Sequence, residues 1–307
     1  MGATWFWGNE PRINQLLTDL SVDVFPQAVA GDAMYDAGAV GQRMSGNPLD
    51  VPSGRFTFGV AALVGAMARR LPAGAVRCDQ TVTAISRSGA SWSVTSESAD
   101  GSSTVVCRHV VIAIPPALAV ASISFDPPLP REVQSLAAST PVWMGGITKA
   151  VAVYREAFWR TSGLSGSGIS HVGPLRELHD MSGPEAIPAA IFGFASSPED
   201  LPITDGLVVD QLTRMFGPEA AWASHVLLVD WARERFTSPP NVRALTNYAT
   251  FGHRLYQDAM FDGTVHWGST ETGSEQPGHL EGALAAAERC VSNIVKHSID
   301  HDTKEAK

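Results

Sequence analysis

Apolar positions along this chain recur with two periods, and the switches between them mark out its elements. Leu280, Ala283, Leu284, Ala287, Val291, Ile294 and Val295 recur at helical spacing and predict a long C-terminal helix with one apolar face. Thr264–Trp267 before it reads as a short buried strand, and Gly268-Ser269-Thr270-Glu271-Thr272-Gly273 as a polar, turn-forming run. Pro277-Gly278 then opens the helix with small residues in its first turn. Such a strand, Gly-rich loop and unencumbered helix N-terminus can hold an electron-rich group, because backbone N–H groups and the helix dipole point at it. An ordinary strand–loop–helix carries the same pattern, so the stretch is only moderately specific by itself.

Upstream, Ile13, Leu16, Leu17 and Leu20 stripe a helix from Pro11 to about Leu20, capped by Asn9 or Glu10. Residues 26–54 are Ala/Gly/Asp-rich with weak periodicity and read as a connection. Val60, Leu63, Val64, Met67 and Leu71 predict a second helix over Gly59–Leu71. Strands are expected at Ala75–Cys78, Val82–Ile85, Ser91–Thr95, Thr104–Val106 and Val110–Ile114. The last is continuously apolar, as for a strand buried on both faces, and Pro115-Pro116 stops it. A short helix near Glu132–Ala138 follows. From Pro141 a new unit is expected, with strands at Gly146–Tyr154, Ala189–Phe194 and Val226–Trp231, a loop from Gly163 to Gly173 and a helix at Gly206–Phe216. Interleaved runs of this kind predict a mixed α/β (α+β) chain of two intertwined domains, one holding 1–25, 55–140 and 230–307, the other 26–54 and 141–229.

Composition narrows the class. At 307 residues, 44% hydrophobic and 17% charged, the chain can bury a sizeable core. A net charge of −9 argues against nucleic acid or an anionic membrane as partner, since either would want a basic face. No apolar run approaches the ~20 residues of a membrane span, and Met1–Trp7 does not read as a signal peptide. Cys78, Cys107 and Cys290 lack metal-ligand spacing, so no metal is expected, and free thiols in a reducing cytoplasm are the simplest account.

Five motifs in collinear order resemble the flavin-containing amine oxidase family. They are Ala113-Ile114-Pro115-Pro116, Phe125–Pro130, Met144–Lys149 with Tyr154–Arg160, Asp230-Trp231, and Ser269–Thr272 with Gly278–Ala283. The resemblance implies an FAD-binding domain interleaved with a substrate domain, and oxidation of a small-molecule amine by hydride transfer to flavin with reoxidation by oxygen. It implies that Lys149 holds a water near flavin N5 and that Trp231 and His279 wall the substrate face. Gly2, Ala3, Thr4, Trp5, Val82, Ala113, Pro115, Ser269, Thr270, Glu271, Gly278, Leu280 and Ala283 would join Trp231 and His279 in cradling the cofactor. A lysine among apolar strand residues is costly without a partner or a wet cavity, and a solvent-facing edge lysine is the alternative. Trp231 equally reads as a core aromatic, and Glu271 as a loop cap. His279 stands where monoamine oxidases place an aromatic-cage tyrosine, which departs from the pattern for simple monoamines. The second cage residue stays open among Tyr248, Phe251 and Tyr256. No cysteine lies around Thr237–Asn241, so the flavin is expected to be non-covalent.

The family's strand–GxGxxG–helix unit has no counterpart here; Gly163-Leu-Ser-Gly166-Ser-Gly168 has the wrong spacing. Gly2-Ala3-Thr4-Trp5 resembles the motif that follows that unit. Three accounts are open: an oxidase fragment, a second polypeptide supplying the missing unit, or a non-catalytic binding protein on an oxidase scaffold.

Overall fold

The computed structural model describes residues 2–38, 40–196, 203–240 and 248–305. In chain order its strands are β1 (Trp5–Trp7), β2 (Val24–Pro26), β3 (Asp32–Asp36), β4 (Gln42–Met44), β5 (Ser53–Phe56), β6 (Thr81–Ser88), β7 (Ser91–Ser98) and β8 (Gly101–Cys107). There follow β9 (Val110–Ile112), β10 (Ser124–Asp126), β11 (Ile147–Tyr154), β12 (Leu164–Ser170), β13 (Leu175–Asp180), β14 (Ala189–Ser196), β15 (His225–Asp230) and β16 (Val265–Trp267). The helices are α1 (Pro11–Asp19), α2 (Val60–Ala68), α3 (Pro116–Ser122), α4 (Arg131–Ser139), α5 (Phe158–Thr161), α6 (Asp205–Phe216) and α7 (Leu280–Glu305). The chain divides into two compact units: residues 1–10, 14–66 and 146–233, and residues 11–13, 67–145 and 234–307. Residues 14–25 and 55–66 thus cluster with the strands that follow residue 146.

The first unit is built on a seven-stranded sheet of order β15-β11-β14-β13-β12-β3-β4, mostly antiparallel, with β12 parallel to β3. The period of two along β11 decides what each face buries. Ala150, Ala152 and Tyr154 point into a core with Trp159, Leu178, Ile191 and the buried stripe of α6, Val208, Leu212 and Met215. Lys149 and Val151 point the other way, where Phe192 and Phe194 from β14 and Trp5 from β1 form a second apolar surface. Helix α6 is delimited by its caps, with Thr204 accepting from the Leu207 N–H and Gly217 at φ 103° ending it.

The second unit holds a four-stranded sheet, β10-β6-β7-β8, and the parallel pair β16-β9. Trp92, Val110, Ile112, Val265, Trp267 and Tyr256 form its core with residues of α3 and α4. The polar ends of two of its aromatics are satisfied: the Trp92 indole N–H donates to Thr264 Oγ1 at 2.9 Å, and Tyr256 shares a hydrogen bond with Thr140 at 2.7 Å. Buried Glu281 accepts the backbone N–H groups of Arg12 and Ile13, and the Arg12 guanidinium bridges Glu275, Glu281 and Glu288. Among the described residues no helix is long and apolar enough to cross a membrane.

Five sequence expectations are corrected. Residues 26–54 are not a plain connection: they carry β3, β4 and the start of β5, paired into two sheets. Gly163–Gly173 is not a loop but contains β12, whose glycines are used by neighbouring side chains: a Cβ on Gly166 would collide with Trp159, and one on Gly168 with Met215. Ala75–Cys78 forms no strand; β6 begins at Thr81, where its ladder with β7 begins. Val111 is half-exposed, so β9 is not buried on both faces, and Pro116 opens α3 rather than merely ending a strand. Helix α7 buries Glu281, Ala286 and Cys290, while Val291 and Val295, expected on its apolar face, are exposed.

Candidate active site

Lys149 lies on β11, which pairs with β14 on one side and β15 on the other, so it sits in the interior of the sheet and not at an edge. Only 7% of it is exposed. Its Nζ donates to the carbonyl oxygen of Gly2 at 3.1 Å and stands 5.8 Å from the Phe194 ring and 5.9 Å from the Trp231 ring. Burial lowers its pKa to about 8, because the charged form loses water and gains only neutral partners. Trp231 is placed by the 3-10 turn that ends β15. The Gly2 carbonyl also accepts from Thr4 Oγ1, and Trp5 follows on β1 with its indole N–H on Gln27 Oε1 at 3.0 Å. Within the first unit, then, the structure brings Lys149, Trp231 and Gly2–Trp5 together; Ala3 is exposed.

The same face of the sheet carries a network the sequence reading did not find. His179 Nδ1 is 2.6 Å from Asp50 Oδ1, and its Nε2 is 3.0 Å from Glu177 Oε1. Asp50 also accepts from Asn47 and Ser167. Burial works against the charged ring, but the hydrogen bonds to Asp50 and Glu177 outweigh it and hold the His179 pKa up at about 9. The Trp5 ring meets His179 edge-on at 5.1 Å, which ties this network to the N-terminal strand. Asn47 and Asp50 lie in the segment expected as a connection and Ser167 in the one expected as a loop, so the one available signal is the alternation of Glu177 and His179 on a single strand face.

In the second unit β16 runs into a 3-10 turn, Thr270–Thr272, and then into α7. Thr270 ties the two ends of the intervening loop: its Oγ1 accepts the Gly278 N–H and donates to the His279 carbonyl, both at 2.8 Å. Ala283 N–H donates to the same carbonyl at 3.2 Å, and Leu280 opens the helix. Glu271 is buried, which raises its pKa, and it accepts the backbone N–H of Trp143 at 3.2 Å. Ser269, also buried, leads into the turn. Gly278 has φ 91°, and the Trp143 indole lies where a Cβ on it would stand. His279 is 6.0 Å from the Trp143 ring, and Tyr248 and Phe251 pack near the same indole at 5.7 and 6.3 Å. Tyr256 is in the core instead, against Trp267. Trp143 was missed in the sequence because one aromatic beside a Gly-rich turn has no periodicity to betray it. Val82 and Ala113 line one open apolar groove of about 410 Å³ with Ile112, Ile114 and Phe236, while Pro115 caps α3. Asn241, at the end of the cysteine-free stretch, lies outside the described residues. Among those residues no cluster of His, Cys, Asp or Glu could hold a metal ion.

A family model for flavin containing amine oxidoreductases matches residues 42–295. The chain belongs to this family. A Mycobacterium tuberculosis protein named as flavin-containing monoamine oxidase AofH is 33% identical over 256 residues, 80% of this chain and 54% of that protein. The flavin-containing amine oxidase A of Equus caballus is 30% identical over 206 residues, 62% of this chain and 37% of that one. Among solved structures, putrescine oxidase bound to putrescine matches with a TM-score of 0.81 at 18% identity, covering 96% of this chain and 88% of that chain. Cyclohexylamine oxidase from Brevibacterium oxydans matches with a TM-score of 0.78 at 18% identity, covering 96% and 87%. The mixed α/β architecture is thus an amine oxidase fold. The chain spans about half the length, or less, of these curated relatives.

Proposed function

We propose that this family member works in flavin-dependent oxidation of an amine, with FAD held non-covalently and oxygen as the terminal acceptor. The observation that carries the reading is Lys149, a buried amine on an interior strand with a ring face on two sides and a pKa drawn down to about 8. A group so placed can hold a water and exchange protons near neutrality, which a solvent-facing lysine cannot do. The chain's glycine cradle supports the cofactor: Gly278 admits a flat ring, since the Trp143 indole already lies against it, and the α7 N-terminus offers backbone N–H groups. In this reading Ser269, Thr270, Glu271, Gly278, His279, Leu280 and Ala283 hold the ring end of the flavin, with Gly2–Trp5, Val82, Ala113 and Pro115 along its length. The flavin, once bound, supplies the hydride acceptor for the carbon bearing the amine. Lys149 orients a water at the reacting centre, and Trp231 and His279 form walls that orient the substrate and exclude bulk water. The divisions 1–25, 55–140, 230–307 and 26–54, 141–229 remain the proposed cofactor and substrate domains.

The test is the visible spectrum of the purified chain with added FAD, run beside a version carrying a strand–GxGxxG–helix unit upstream. Flavin absorbance, a raised melting temperature and peroxide release on adding amines are expected from at least the second. If both stay colourless and FAD leaves both melting temperatures unmoved, the oxidase reading is wrong and the scaffold alternative stands.

A further inference from the structure

At Gly278, in the second unit, the backbone is bare by necessity and what lies against it is an aromatic ring. Its φ of 91° suits glycine, and any Cβ there would collide with the six-membered ring of Trp143. Tyr248, Phe251 and His279 also pack near that ring, with centroids at 5.7–6.3 Å. Its own backbone is pinned: Trp143 N–H donates to buried Glu271, Met144 follows at φ 59°, and Gly145 N–H closes a turn on Val142 O at 3.1 Å. The indole, by contrast, is only partly buried and is held by apolar ring contacts. A side chain anchored at its backbone and partly exposed can rotate about χ1 and χ2 without moving the strand that follows.

We infer that Trp143 is an intramolecular competitor for the Gly278 surface: the indole and the flavin ring occupy it in turn, and the indole must swing away for flavin to seat. The inference rests on the flavin reading above and adds to it which residue sets the affinity. The two rings are both flat, aromatic and matched to a backbone without a side chain, so one can replace the other with little change in the area kept from water. If the indole covers Gly278 for all but about a tenth of the time, the apparent flavin affinity is about ten-fold weaker than the site's intrinsic one.

The experiment is equilibrium binding of FAD, and of lumiflavin as the bare ring, to the chain and its Trp143→Ala and Trp143→Leu variants, followed by quenching of flavin fluorescence. Both variants are expected to bind about ten-fold more tightly, and Trp143→Phe to fall between. A second measurement does not depend on any variant folding. In the chain labelled at glycine, a nuclear Overhauser contact between the Trp143 ring protons and the Gly278 Hα is expected, and it is lost when flavin saturates the protein. Equal or weaker binding by the variants overturns the inference while leaving the flavin reading intact, because Trp143 is then a bystander or a permanent stacking wall. A Trp143–Gly278 contact that persists at saturation does the same. No binding of either flavin by any version overturns both.

Discussion

The Lys149 ammonium donates to the carbonyl oxygen of Gly2 across 147 residues of chain, at 3.1 Å. A backbone carbonyl is a dipole, not a counter-ion, and the rings of Phe194 and Trp231 stand 5.8 and 5.9 Å from Nζ. This is why burial alone sets the direction of its pKa. It is also why the N-terminal residues matter to the site: they give a buried cation enough polarity to exist without quenching it.

Replacing Lys149 by methionine is therefore expected to stabilise the fold while removing proton exchange from the site. The folded pKa of about 8 lies below the ordinary 10.5, so the folded chain binds fewer protons in that window. Stability is full above pH 10.5 and is lost as pH falls toward 8. At pH 7 the penalty is about 3 kcal/mol, at roughly 1.4 kcal/mol per pKa unit. Urea unfolding at pH 7 and at pH 10 measures it: Lys149→Met should gain stability at the lower pH and little at the higher one.

The His179 network carries the opposite sign. With its pKa raised to about 9, the ring contributes stability that is complete below pH 6.5 and lost as pH rises through 9. Asp50→Asn removes the partner at 2.6 Å and should cost of order 2 kcal/mol at pH 6, with the loss shrinking toward pH 9.5. Melting temperatures of the two proteins across that range decide it; parallel curves would mean that His179 is neutral throughout.

How much of this was readable beforehand follows from what each element depends on. Strand β11, α4 and α6 were found almost to the residue, because burial against one surface writes a clean period of two or 3.6. Strand β12 was not, since its serines and glycines look like a loop until Trp159 and Met215 are seen to fill the space they leave. On α7 two stripes compete, and the buried one contains Ala286 and Cys290, because small residues allow close approach where Val291 and Val295 do not. Lys149, Trp231 and Glu271 stand in motifs of the sequence, and the structure buries Lys149 and Glu271. The Asp50–His179 pair and the Trp143–Gly278 contact were not, because each joins segments that say nothing apart.

His266 on β16 gives an acid limit. It is buried beside His109, His297 and Arg289, and among the described residues its Nδ1 has no hydrogen-bond partner. Burial first, and then those charges, lower its pKa to about 4. The neutral ring is tolerated above pH 6.5, and stability falls as pH drops from 6.5 to 4, where the unfolded chain takes up a proton that the folded chain refuses. His266→Phe should flatten that fall by about 2–3 kcal/mol between the two pH values, measured by guanidinium unfolding. A variant as acid-sensitive as the parent would place the sensitivity elsewhere.

Gly166 separates packing from backbone strain. It has φ 81°, and a Cβ there would press on Trp159, whose indole N–H donates to Asp180 Oδ2 at 2.8 Å. Trp159 and Asp180 are both fully buried, and Arg160 Nε shares the same carboxylate oxygen at 2.8 Å. Displacing the indole would leave a buried carboxylate short of a donor, so Gly166→Ala is expected to cost about 3 kcal/mol or more. Gly46 provides the comparison: its φ is 74°, but among the described residues nothing stands within 4 Å of where its Cβ would be. Gly46→Ala should cost only the conformational strain, about 1 kcal/mol. Urea midpoints of the two variants test the difference, and equal losses would mean that the left-handed backbone, not the Trp159–Asp180 contact, is what Gly166 protects.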